Sequence, residues 1–217
     1  MLVLDPRLSL CASFVRDGTR LADIGTDHAY LPVWLALEGR ISSAVAADLR
    51  KGPLMNAEES IKNAKAEHIV TTRLSDGLDE ISPDEAYDIV MAGMGGELIA
   101  KLIGRTDWLR DKKFRLILQP MTRAHILREY LSRNGFRIIE EKACISHKKS
   151  YSVMCCEYDG VEREADAEFL YFGLLSDDSS AEAEAYRRVI TEKLRKKLRG
   201  IDPQSPEHGK ISKLILS

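Results

Sequence analysis

Short runs rich in apolar and β-branched residues recur along the first 160 residues of this chain, and helical patterns separate most of them. The runs span 20–24, 43–47, 69–73, 87–91 and 114–118. Most are bounded by turn-forming residues and read as buried strands, 114–118 with the most continuous apolar character. Between them, 5–16, 29–38, 53–66, 97–103 and 122–134 read as helices. Asp5-Pro6 supplies a cap and first helical residue, and Asn134-Gly135 a left-handed stop. Alternation of this kind specifies a parallel sheet covered on both faces. Two last runs, 137–142 and 151–157, have no helix between them. They predict a hairpin with a polar loop at 143–150 and an antiparallel strand at the sheet edge, for about seven strands in all.

After Gly160 the strand signal ends. The chain is expected to divide into a sheet domain, 1–160, and a helical, coiled-coil-like appendage, 161–217. Helices are predicted over 162–175 and 181–199, the second with Tyr186, Ile190, Leu194 and Leu198 on one stripe. Charge divides the same way. Residues 162–184 hold eight acids against Arg163, and residues 186–200 hold seven cations against Glu192. The whole chain, with 32 Lys+Arg and 34 Asp+Glu in 217 residues, is nearly neutral, which excludes a uniformly basic nucleic-acid binder. A local patch is a different matter: Arg187, Arg188, Arg195, Lys196 and Arg199 are placed to meet phosphates, with Arg123 and Arg128 extending the patch. The other reading is a helix pair whose opposite charges satisfy one another.

The opening MLVLDPRLSL has no basic region followed by an apolar run, and no stretch has the ~20 apolar residues of a membrane span. Cys11, Cys144, Cys155 and Cys156 form no CxxC pair and match no histidine spacing. A cytoplasmic protein with reduced thiols, no metal and no membrane association is expected. The oligomeric state stays open, with a monomer favoured.

Ligands of open parallel sheets bind beyond the carboxyl ends of the strands. Those ends read Asp23-Ile-Gly25-Thr26-Asp27-His28, Asp48-Leu49, Ser75-Asp76-Gly77, Gly93-Met94-Gly95-Gly96 and Gln119-Pro120. The first turn is not GxGxxG, and its acids would repel a pyrophosphate. The same acids suit a cationic nucleoside such as S-adenosylmethionine. Asp48 is placed for a ribose diol and Asp76 for an adenine amine; Asp23, Gly25, Asp27, His28, Leu49, Gly77, Gly93 and Met94 complete the expected cofactor set.

ADIGTDHAYLP (22–32), DLRKGPL (48–54), SDGL (75–78), AGMGG (92–96) and LILQP (116–120) together resemble the bacterial tRNA (adenine-22, N1)-methyltransferase family. The resemblance runs from the N-terminus to about residue 158, and the helical tail is also as in the family. Where the family pattern continues with asparagine after the Gln-Pro pair, this chain has Met121. The resemblance implies a Rossmann-like class I methyltransferase fold that transfers a methyl group from S-adenosylmethionine to N1 of a tRNA adenosine. Ala92-Gly93-Met94-Gly95 lacks the polar side chain that enzymes methylating N6 of adenine usually carry there, and N1 needs alignment, not deprotonation. Asp27 is the candidate to stabilise the cationic product, or else a cofactor ligand. Tyr30 stacks on a base or the cofactor, or begins a core helix. Lys51 meets a phosphate or is a solvated lysine. A small-molecule methyltransferase and a non-catalytic binder of RNA or a protein partner, with a degenerate pocket, are the alternatives.

Overall fold

The computed structural model describes residues 2–216. Asp5 caps α1 (Pro6–Phe14), its Oδ1 accepting from Leu8 N at 2.9 Å. The alternating elements follow as β1 (Thr19–Ile24), α2 (Tyr30–Leu37), β2 (Ile41–Asp48), α3 (Lys51–Asn63) and β3 (Val70–Leu74). Next come β4 (Asp88–Gly95), α4 (Gly96–Gly104), β5 (Arg115–Thr122) and α5 (Ala124–Arg133). The hairpin β6 (Phe136–Ser146) and β7 (Lys149–Tyr158) completes the sheet, and α6 (Ala167–Phe172), α7 (Ala181–Leu198) and α8 (Pro206–Leu216) form the tail.

The seven strands make one sheet in the order β3-β2-β1-β4-β5-β7-β6. Neighbours from β3 to β5 are parallel; β7 runs antiparallel to both β5 and β6. The mixed α/β sheet is therefore as expected, with β7 inserted between β5 and the outermost strand. Apolar side chains cover both faces. Ile89, Met91, Leu116 and Leu118 pack with α4 and α5 on one side. Val90, Ile117 and Val153 pack with α1 and α2 on the other. Strand order reverses at β1, whose neighbours are β2 and β4, so the crevice for a ligand opens at their carboxyl ends.

Three elements depart from the sequence reading. The loop expected at 143–150 is mostly strand. β6 and β7 run on to a two-residue turn, His147-Lys148, with φ of 48° and 63°, the backbone sign of the primed hairpin turn that matches strand twist. The ladder runs on through residues expected in the loop, Ala143 pairing with Ser152 and Ser146 with Lys149. β5 continues through Gln119-Pro120 because the β4–β5 register is irregular there, which relieves proline of a ladder bond. In the tail, the helix expected over 162–175 is only α6 followed by a 3-10 turn, Gly173–Leu175. The acidic segment is thus no helical partner for α7. Instead α7 buries Tyr186 and Leu194 of its stripe, together with Ala183, and packs against β6, β7 and α8. Among the described residues no helix is long and apolar enough to cross a membrane. All four cysteines are free and buried, and burial pushes the Cys144 and Cys155 thiols up to about 11.

Candidate active site

A cleft of about 420 Å³ lies over the carboxyl ends of β1, β2 and β4, lined by Asp23, Gly25, Asp27, His28, Tyr30, Asp48 and Gly93 among others. The β1–α2 turn closes back on the sheet: Gly25 N and Thr26 N both donate to Ala47 O, at 2.8 and 3.0 Å. Those amides are consumed, so the turn is no cradle for a pyrophosphate. Thr26 Oγ1 accepts from Ala29 N at 3.0 Å and fixes the start of α2, where Ala29 takes a left-handed conformation, φ 53°. Left-handed backbone at a non-glycine residue is uncommon and costs energy, and it frequently marks a functional turn.

Asp23 is buried at the end of β1 and has no cationic partner among the described residues. Burial raises its carboxyl pKa to about 6, against a lowering hydrogen bond from Thr26. A carboxylate desolvated in this way favours a cation beside it. Asp48, also buried, ends β2; its Oδ1 accepts from Arg50 N at 2.8 Å, which leaves Oδ2 for a donor in the cleft. Gly93, φ 84°, turns β4 back in the left-handed region where a side chain would be strained. These features fit S-adenosylmethionine: a buried acid for its ammonium, a strand-end acid for its ribose, and bare backbone at the reacting end.

His28 and Tyr30 stack face to face, with ring centroids 4.9 Å apart and 7° between planes. Tyr30 is 42% exposed, so it lines the cleft instead of entering the core. Asp27 Oδ2 lies 3.4 Å from His28 Nε2 and is the most solvent-facing acid of the turn.

Other expected residues lie elsewhere. Asp76 is held by Arg105 at 2.8 Å, and this hydrogen-bonded ion pair pulls its carboxyl below the usual range. Gly77 packs on Leu102, and neither residue lines the cleft. Leu49 points into solvent, 63% exposed, while Met94 packs beneath Gly25. Lys51 begins α3 and is exposed.

The expected basic patch needs correction. Arg128 is wholly buried, paired with Glu141 at 2.7 Å, and cannot reach RNA. Apolar neighbours at Leu127 and Leu131 put that face of α5 against the sheet and tail. Arg187 is turned inward to donate to Leu175 O and Asp178 O, tying α7 to the loop before it. Arg123 pairs with Glu97 at the start of α4. Arg188, Arg195, Lys196 and Arg199 are exposed along α7.

Sequence reasoning missed Arg7 and Asp5, which reach the cleft from the start of α1. Their only signal was a cap two residues before an arginine, a pattern with many purely structural uses.

Residues 4–154 match the family model of a methyltransferase domain. The tRNA (adenine(22)-N(1))-methyltransferase of Bacillus subtilis (strain 168) is 35% identical over 171 residues, which cover 76% of this chain and 72% of that protein. The chain belongs to this methyltransferase family. The crystal structure of the B. subtilis m1A22 tRNA methyltransferase resembles it with a TM-score of 0.79 at 30% identity, covering 100% of this chain and 95% of that one. A Streptococcus pneumoniae protein solved in complex with S-adenosyl-L-methionine does so with a TM-score of 0.79 at 32% identity, covering 97% and 95%. Both cover the methyltransferase's tail as well as its sheet.

Proposed function

We propose that this protein transfers a methyl group from S-adenosylmethionine to N1 of adenosine 22 in tRNA. The observation that carries the reading is the cleft over β1, β2 and β4: acids at the ends of the first two strands and a bare glycine turn at the third. It stands on a chain whose relative, at 35% identity, is named for that reaction.

The cofactor, when bound, supplies an electrophilic methyl group. The protein's residues supply position. Asp23 takes the ammonium and Asp48 the ribose. The base enters from the open side, past Tyr30 and His28, whose stacked rings form an aromatic wall. Adenine N1 carries an in-plane lone pair and needs no base, so holding it in line is the main contribution. The rim at β4 and β5 has no carboxamide to spare for an exocyclic amine. Gln119 is fully buried; its Oε1 accepts from Gly93 N at 3.2 Å and from Arg7 at 3.0 Å, and its Nε2 donates to Pro120 O. Asp27, solvent-facing beside His28, balances the charge that methylation places on the base.

Arg188, Arg195 and Lys196 on α7 and Arg199 at its end supply phosphate contacts, with Arg123 and Lys51 adding to them from the ends of β5 and β2. A tRNA substrate places the protein in the cytoplasm.

The test is mass spectrometry of tRNA nucleosides after incubation with protein and S-adenosylmethionine. One 1-methyladenosine per tRNA, lost when adenosine 22 is replaced, is the expected outcome. N6-methyladenosine as direct product, with Dimroth rearrangement suppressed, would overturn the choice of atom.

A further inference from the structure

An opening of about 170 Å³ lies between the start of α5, α6 and the second half of α7. That is room for about five waters, more than close-packed helices leave as a defect. Its wall is aromatic. His125 of α5 and Tyr171 of α6, both half-buried, stack with ring centroids 5.1 Å apart and 26° between planes. Burial and the positive charges of Lys197, Arg128 and Arg123 lower the His125 pKa, so the ring is neutral at pH 7. Tyr186, Ile190 and Leu194 of α7 form an apolar floor, and Lys193, Lys197 and Arg123 the rim. No acid is among the described residues that line it. The adjoining groove beyond Tyr171 does carry acids, Asp166 and Glu168.

Helical periodicity sets these lysines apart from the rest of the basic helix. Tyr186, Ile190, Lys193, Leu194 and Lys197 fall on one face of α7, whereas Arg188, Arg195 and Arg199 project roughly 180° away. α7 thus has two cationic faces, and the inner one frames the stacked rings. This opening also shares an edge of the sheet with the cleft. α5 follows β5, so its first residues sit at the carboxyl end of that strand. Gly95 pairs with Thr122, and a side chain at Gly96 would collide with the Arg123 carbonyl. Following the backbone, Gly93 in the cleft and Arg123 on the rim lie within roughly 16 Å of each other.

Adenine N1 lies on the edge that base pairing uses. A tRNA must therefore open before that atom can be methylated, and opening unstacks bases. We propose that the His125–Tyr171 pocket holds a second unstacked base of the same tRNA, near the one in the cleft, while Lys193 and Lys197 take its phosphates. The acids beyond Tyr171 keep the phosphates on the lysine side. Stacking on aromatic rings is tolerant of base identity, and it stabilises the opened form of the RNA against the cost of unstacking. The inference rests on the tRNA reading and adds to it a site for a nucleotide that is not methylated.

The experiment measures binding of a full-length tRNA transcript carrying adenosine 22, by fluorescence anisotropy at several salt concentrations. Calorimetry with S-adenosylmethionine is run on the same proteins. Tyr171→Leu and His125→Leu are each expected to weaken tRNA binding about 5- to 150-fold, the range for losing a base–aromatic stack. Their salt slopes and cofactor affinities should stay at wild-type values. Tyr171→Phe keeps the ring and should bind within about twofold of wild type. Lys193→Ala and Lys197→Ala should instead lower the salt slope, by ~0.7–0.9 for each phosphate lost. Should Tyr171→Leu unfold, His125→Leu alone decides.

Wild-type tRNA affinity in the leucine variants overturns the proposal. A salt slope lowered by about one in them also overturns it, because the rings then only position the lysines. Tyr171→Phe as weak as Tyr171→Leu overturns it too, since the hydroxyl and not the stack is then at work. Binding of about 1 mM AMP, with S-adenosylmethionine saturating, to wild-type protein but not to Tyr171→Leu makes the pocket a site for free nucleotide and overturns its assignment to RNA. If wild-type protein neither binds nor methylates the transcript, it is the tRNA reading that fails, and this inference with it.

Discussion

Arg128→Met is expected to destabilise this protein severely, although the residue touches neither the cleft nor solvent. Arg128 and Glu141 are both fully buried and 2.7 Å apart. Arg128 Nη1 donates to Leu170 O and Tyr171 O at 2.9 and 3.1 Å, and Nη2 donates to Tyr186 Oη at 3.2 Å. Glu141 Oε2 accepts from Leu174 N at 3.0 Å. One ion pair thus joins α5, β6, the end of α6 and α7. Removing one partner of a buried pair costs about 3–5 kcal/mol, because the other charge stays desolvated. The two carbonyls, only partly buried, add about 1 kcal/mol each. Against a total stability of roughly 5–15 kcal/mol, the loss is a large fraction. Urea unfolding followed by circular dichroism measures it. The double variant Arg128→Met/Glu141→Leu removes both charges and should recover much of the loss. An Arg128→Met loss below about 1 kcal/mol, or a double variant no better than the single, would refute this reasoning. The same geometry makes a chain ending at residue 158 unstable, since it removes four of the partners that Arg128 and Glu141 use.

Asp48→Ala should weaken S-adenosylmethionine binding by ~1.5–3 kcal/mol in calorimetry, as expected when a charged hydrogen bond is removed. Asp23, raised to about 6, binds cationic cofactor only when ionised, so affinity should fall as pH drops through 6, and Asp23→Asn should abolish that dependence. Stability runs the other way: the folded protein holds the Asp23 proton more tightly than the unfolded chain, so this group's contribution declines from about pH 4 to 6. Asp23→Asn should flatten that part of the cofactor-free stability–pH curve. Replacing Arg195, Lys196 and Arg199 by Ala should lower the salt slope of tRNA binding by ~0.7–0.9 for each phosphate left unneutralised, with cofactor affinity unchanged; a wild-type slope would make α7 a solvated face.

The sheet was legible because the middle of each central strand is buried on both faces, as at Leu21-Ala22, Ile89-Val90-Met91 and Leu116-Ile117-Leu118, and helical segments alternate with the strands. The hairpin was half-legible: an outer strand shows polar residues to water, and His147-Lys148 carries no glycine to announce its left-handed turn. Asp23, Asp48 and Gly93 were legible because strand ends locate a ligand whatever the helices do. Arg7 was not, since nothing local tells an arginine in a first helical turn that its tip will meet Gln119, 112 positions later. Arg128 misled for the complementary reason. Charge composition predicts exposure, and only tertiary structure shows that Glu141 and Tyr186 arrive to bury it.

The strand order also fixes a schedule. A ribosome delivers β5 before β6, and β6 before β7, yet it is β7 that bonds to β5. From the release of Thr122 until Tyr158 follows, one flank of the nascent sheet stays open, roughly 2–7 s at ordinary rates of translation. For that interval Leu116 and Leu118 belong to an unpaired margin that any other extended chain can join. The last strand made closes that margin, and residues 167–186 then lock it by covering Glu141. Pauses in synthesis while residues 123–158 are emerging from the ribosome would lengthen the exposure, whereas pauses once residue 186 has emerged would not.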